Sequence, residues 1–124
     1  MQRRLVLGCG SDARGAVERL TEWPGDLTVV AENGVESLQT GRSGVTVERA
    51  APDDPAAYPP NADLVFVAGD DPETNADAAE RARAQYPAAT LVVYLGIDAD
   101  ETTRATVNQV ADRLVDGRRV VADR

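Results

Sequence analysis

The sequence predicts an α/β domain, a doubly wound six-stranded parallel sheet with helices on both faces. Three observations predict it. Short apolar runs alternate with helical periodicity along the whole chain. One run, Leu-Val-Phe-Val-Ala at residues 64–68, is continuously apolar, as a strand buried on both faces of a parallel sheet would be. A glycine turn, Gly8-Cys9-Gly10, follows the first run and leads directly into a helical pattern.

The elements follow in order. The first strand covers residues 4–7. The first helix shows Ala13, Ala16, Val17 and Leu20 on one face and ends at Pro24-Gly25. The second strand covers residues 27–31, with a short helix or turn at 35–38 and a Gly/Ser break at 41–44. The third strand is 45–47, and the proline-rich stretch 52–60 holds one helical turn at 56–58. After the fourth strand, Asp71-Pro72 supplies a capping carboxylate and a proline for the first helical position. That helix carries Asp77 and Arg81 four apart on its wet face and stops at Tyr86-Pro87. The fifth strand is 91–95. The last helix places Val107, Val110, Ala111 and Leu114 on one face, with Gly117 beyond its end, and the sixth strand is 118–121. The chain stops there, as a domain taken from a longer protein or one that acts by pairing would.

Composition narrows the function. The 124 residues suit one domain, residues 1–124, and the net charge of -8 opposes binding to nucleic acid through its phosphates. All thirteen basic residues are arginine and the acids number twenty-one. A lysine-free acidic surface suits a salt-rich cytosol and a halophilic archaeal source, although skewed codon usage gives the same pattern. Cys9 is the single cysteine, which leaves no disulfide and no metal cluster. Between two glycines it serves as a small side chain under the loop. No run is long enough for direct membrane insertion and no signal peptide precedes the first strand, so the expected location is cytoplasmic.

The chemistry concentrates at the first turn. Gly8 permits a tight turn, Gly10 permits close approach of a pyrophosphate, and Ala13 allows close helix–strand contact. The helix that starts there offers free N–H groups and a positive dipole end to phosphate. Glu32, at the tip of the second strand, can take both hydroxyls of an adenosine ribose and disfavours a 2′-phosphate, hence NAD(H) rather than NADP. Strand, loop, helix, strand and acid stand in the order of a Rossmann-like dinucleotide site. The crevice between the first and fourth strands is then the binding place.

Gly8-Cys9-Gly10 together with Ala68-Gly69-Asp70-Asp71-Pro72-Glu73-Thr74-Asn75, Asp54-Pro55 and Tyr86-Pro87-Ala88 resembles the N-terminal domain of Trk/Ktr-type potassium uptake regulators, the TrkA-N or RCK-N family. The resemblance covers nearly the whole chain. It implies a module that senses NAD(H), ATP, ADP or AMP, pairs as a homodimer and gates a membrane potassium transporter. Similar domains precede DHH-type phosphoesterase modules, which is the alternative parent. The implied ligand-binding set is Gly8, Cys9, Gly10, Ser11, Asp12, Ala13, Arg14, Glu32, Ala51, Ala68, Gly69, Asp70 and Asn75.

Two positions depart from the family pattern. Asp12 puts a carboxylate near the pyrophosphate, which Arg14 either offsets or leaves unopposed as a solvated first-turn residue. Ala50-Ala51 stands where the family commonly has Gly-Asp, so a carboxylate for the adenine edge is missing. Asp70 and Asp71 read as a surface acid plus a helix cap rather than as a cation site. Asp53-Asp54 reads as a solvated turn and Trp23 as a packing lid.

No catalytic residue is expected. A dehydrogenase would need a substrate domain and a proton-transfer group, and the chain has neither His nor Lys. A phosphoryl-accepting receiver needs acids at the end of the first strand and a Lys after the fifth. A regulatory binding module remains, with a dimerisation module of degenerate pocket as the further alternative.

Overall fold

The computed structural model describes residues 2–23, 25–35 and 44–117. Among these residues, six parallel strands form one sheet in the order β3-β2-β1-β4-β5-β6: β1 Arg3–Leu7, β2 Asp26–Val30, β3 Val45–Glu48, β4 Leu64–Val67, β5 Thr90–Leu95 and β6 Arg113–Asp116. Three α-helices join them, α1 Arg14–Glu22, α2 Pro72–Gln85 and α3 Glu101–Val110, with a 3-10 turn at Pro55–Ala57. The order reverses between β1 and β4, which makes their carboxyl ends the switch point.

Side-chain alternation on the strands separates two cores. Leu5, Leu7, Val65, Val67, Leu91, Val93 and Leu95 pack with Ala76, Ala78, Ala79 and Ala82 of α2 and Val107 of α3. Val6, Leu27 and Val29 pack on the opposite face with Val17 of α1. Helices therefore cover both faces, as the alternation of elements implies. The alanines of α2 present almost no bulk, so this helix lies close against β4 and β5. Phe66, in the middle of β4, is only partly buried, so that strand is sealed on one face rather than both.

The C-terminal end differs from the expected layout. α3 ends at Val110, with Ala111 extended at φ -83° and ψ 142°, and Leu114 lies in β6 beside Val93 rather than on the helix. Tertiary contacts stop the helix: Arg83 donates Nε–H to the Val110 carbonyl at 2.9 Å, and Asp112 accepts the Leu91 N–H at 2.8 Å. The sixth strand is thus 113–116, and the proposed strand at 118–121 lies outside the described residues. The turn proposed at 35–38 is likewise outside them, apart from buried Val35. Trp23 is 66% exposed and packs as no lid.

Two arginines fasten helix ends to neighbouring elements. Arg4, 5% exposed, donates to the carbonyls of Leu20 (2.8 Å), Trp23 (3.0 Å) and Gly25 (3.3 Å), placing its charge at the negative end of α1. Arg83 bonds the Val110, Ala89 and Pro87 carbonyls and pairs with Asp112 at 2.8 Å. The Leu91 N–H, and then Arg83, hold the Asp112 carboxyl below its ordinary value of 3.8.

That shift carries a sign. A carboxyl more acidic in the folded state stabilises fully above 3.8 and loses its contribution as pH falls through the folded value. Asp112→Asn should therefore melt lower than the wild type well above 3.8, and the gap should narrow as pH drops below it. Melting curves across that window check this, and a gap that stays constant contradicts it.

Candidate functional site

The Gly8–Gly10 loop meets the end of β4 backbone to backbone. Gly8 sits at φ +87°, and a Cβ there would lie 2.8 Å from Gly69 Cα and N. The Gly8 N–H bonds Val30 O and the Gly10 N–H bonds Ala68 O, each at 2.8 Å. A Cβ on Gly10 would fall 2.5 Å from Asp70 Oδ1. Gly10 is thus required by the β4 loop, which already fills the space that sequence reasoning assigned to an approaching pyrophosphate.

Two hollows are the relevant candidates. One of about 450 Å³, lined by Arg3, Asp26, Thr28, Thr46 and Asn61, opens at the amino ends of the strands. The other, about 190 Å³, opens at the carboxyl ends over the switch point. Ligands of doubly wound sheets bind at the carboxyl ends, so the smaller hollow is the candidate despite its size. It falls below the ~300–1,000 Å³ usual for ligand pockets. A dinucleotide would therefore lie along it as an open crevice.

Gly8, Cys9, Gly10, Glu32, Gly69, Asp70 and Asn75 from the expected set line this crevice. Ala31, Asn33, Pro52, Asp71 and Thr74 join them, outside the set expected from sequence. Pro52, not Ala51, forms the wall after β3. Tyr58 and Tyr86 fix that wall: their rings stack 6.5 Å apart, Tyr58 donates to Pro52 O at 2.6 Å, and Tyr86 donates to Pro59 O. Ala68 and Ala13 are buried packing residues beneath the loop.

The charged groups sort clearly. Glu32 is exposed on the crevice rim, free to accept from hydroxyls. Arg14 is half-buried beside Cys9 and the Gly34 turn rather than solvated. Burial pushes the Cys9 thiol up, with Arg14 opposing only in part, and the thiol donates to Gly34 O at 3.2 Å. Cys9 is therefore a protonated packing group. Asp12 accepts from the Tyr94 hydroxyl at 2.9 Å, which ties its carboxylate to β5. Burial first, and then that bond, pushes Tyr94 up to about 12. Asp71 caps α2, accepting from Glu73 N–H and from the Thr74 hydroxyl (2.7 Å), as its place before Pro72 implies.

Asp70 is more than a surface acid. Its carboxylate accepts the Ser11 N–H at 3.0 and 3.2 Å and the Ser11 hydroxyl at 3.4 Å. Asn75 is 1% exposed and donates both amide hydrogens, to Gly69 O (2.8 Å) and Tyr94 O (2.9 Å). Its Oδ1 is buried without a partner. A buried acceptor left unpaired is costly, and Asn75 bears that cost while its amide hydrogens tie the β4 loop to β5. α1 itself has no side-chain cap at Ala13, which leaves its first turn available to an anion. No group of acids or Cys able to hold a metal occurs among the described residues, and none of their helices is long and apolar enough to cross a membrane.

The strand order and the glycine loop facing an acid at the end of β2 define the class, a Rossmann-type nucleotide-binding domain. Residues 1–94 match the family described as "Putative NAD(P)-binding", and the chain belongs to that family. Solved structures agree in fold. The TrkA-N domain of the inner membrane protein YbaL from Escherichia coli superposes with a TM-score of 0.73 at 17% identity, covering 98% of this chain and 92% of that one. The NAD(P)-binding domain of an exopolyphosphatase-related protein from Archaeoglobus fulgidus gives 0.74 at 16% identity, covering 99% and 93%. No curated protein is detectably similar in sequence.

Proposed function

We propose that this domain is a regulatory module that binds an adenine nucleotide, NAD(H) in preference to ATP, ADP or AMP, and acts without catalysis. The observation that carries the reading is one crevice shared by the Gly8–Gly10 loop and Glu32, with the uncapped start of α1 following that loop in the chain. Glu32 takes the adenosine ribose hydroxyls, and its charge repels a 2′-phosphate. The loop and α1 amides receive the pyrophosphate. The absence of His and Lys from the sequence supports a binding rather than a proton-transferring role.

Regulation would work by population shift, because a ligand moves an equilibrium only through its different affinities for two states. A membrane potassium transporter is the partner that the resemblance to the TrkA-N family implies, with the domain paired as a homodimer. The second neighbour favours a variant of this reading, in which the module regulates a phosphoesterase whose catalytic residues lie outside these positions.

Nucleotide at one hundred times its dissociation constant should stabilise the domain by about 2.7 kcal/mol. Thermal melts with NAD, NADH, NADP, ATP and AMP, in dilute and in multimolar KCl, measure this. The reading expects the largest shift with NAD or NADH and the smallest with NADP. No shift with any of them at millimolar concentration leaves only a dimerisation module with a closed pocket.

A further inference from the structure

The charge arrangement around Ser11 bears on how the crevice selects its ligand, and this step rests on the nucleotide reading above. Two carboxylates stand at the phosphate loop and they are held differently. Asp12 accepts from the Tyr94 hydroxyl on β5 at 2.9 Å. Asp70 instead sits on the loop, with both oxygens within 3.2 Å of the Ser11 amide nitrogen and one within 3.4 Å of its hydroxyl oxygen. The missing side chain of Gly10 is what admits it, since a Cβ there would lie 2.5 Å from Asp70 Oδ1. An anion, the chemical class this kind of loop collects, is therefore already present and covalently attached to β4.

We propose that Asp70 is a built-in competitor for the ligand's phosphate: its carboxylate occupies the Ser11 amide, and a phosphorylated nucleotide binds only by displacing it. Asp70 is thus a specificity-determining residue. It weakens every phosphate-bearing ligand in proportion to the charge brought to the loop and leaves the adenosine portion unaffected. The same displacement gives the site two states, with Asp70 on or off the loop, so binding of phosphate is coupled to movement of the segment that opens α2. From sequence, Asp12 is the expected source of repulsion; in the fold it is Asp70 whose carboxylate holds the Ser11 amide, while Asp12 is bonded by Tyr94.

The test compares the wild-type protein with Asp70→Asn, which keeps an oxygen acceptor for the Ser11 N–H and removes the charge. Asp70 is exposed, so the variant retains its core. A second variant, Asp70→Ser, keeps a shorter acceptor and guards against an effect of the amide itself. Calorimetric titration is run with adenosine, AMP and NAD. Like charges ~4 Å apart cost about fivefold in affinity even in bulk water. AMP and NAD should therefore bind both variants at least about fivefold more tightly than they bind the wild type, with adenosine unchanged.

Equal or weaker binding of NAD and AMP by the variants, with the wild type still binding them, overturns the proposal and leaves the nucleotide reading standing. An equal gain for adenosine also overturns it, since a loosened loop and not a removed charge would then be the cause. Absence of binding by all three proteins overturns the nucleotide reading and this proposal together.

Discussion

Gly8→Ala is expected to lower folding stability by about 2–5 kcal/mol, the sum of a left-handed backbone penalty of about 1–2 and an overpacking cost of about 1–3. Both terms follow from the geometry at this residue. Gly8 holds φ +87°, and its added carbon would meet the Gly69 backbone at 2.8 Å. Neither side can yield cheaply. The Gly8 N–H is bonded to Val30 O, and the neighbouring Gly10 N–H to Ala68 O. The clash therefore forces apart β1 and β4, the two strands that create the crevice. Urea denaturation measures the loss. A decrease below about 0.5 kcal/mol, the ordinary size of a surface change, would contradict this account of the loop.

The second large effect falls on binding. Glu32→Ala should weaken NAD by about 1.5–3 kcal/mol, the usual value of hydrogen bonds to a charged group, or roughly 10- to 150-fold. Glu32 is exposed and contributes nothing to either core, so the variant's stability without ligand should match the wild type. NADP should lose less than NAD, because the same substitution removes a repulsion toward the 2′-phosphate. Calorimetry with both dinucleotides separates these terms. Equal losses for NAD and NADP would show that Glu32 does not face the ribose.

Much of the fold was legible because its signals are local. Apolar runs marked β1, β2, β4 and β5 to within a residue or two. Asp71 before Pro72 marked the start of α2 through chemistry contained in three residues. The end of α3 was not legible. Leu114 falls at helical spacing from Val107 and Val110, and no glycine or proline interrupts the pattern. What ends the helix is Arg83, from an element 27 residues away, together with the bond from Leu91 N–H to Asp112. The glycine turn and Glu32 could be read for the same local reason as the cap of α2.

The contacts that set the crevice's charge could not. Asp70 reaches Ser11 across 59 positions and Tyr94 reaches Asp12 across 82. The open Oδ1 of Asn75 exists only because two carbonyls, on β5 and at Gly69, take its amide hydrogens. Pairings of this kind depend on the register of β1 with β4 and of β4 with β5, which no spacing pattern encodes. Arg4 is a further instance. In sequence it opens a strand, whereas its side chain closes the far end of α1.

The central claim is that an adenine dinucleotide occupies the crevice over the β1–β4 switch point. The most direct measurement is a titration of the isotopically labelled protein with NAD, following each backbone amide by NMR. The account predicts saturable shifts concentrated at Gly8, Gly10, Ser11 and Asp12, at Glu32 to Gly34, and at Gly69 to Asp71. The hollow at the opposite end of the strands, around Thr28 and Thr46, should remain still. Shifts centred on that second hollow, or a spectrum unchanged at millimolar NAD, would contradict it.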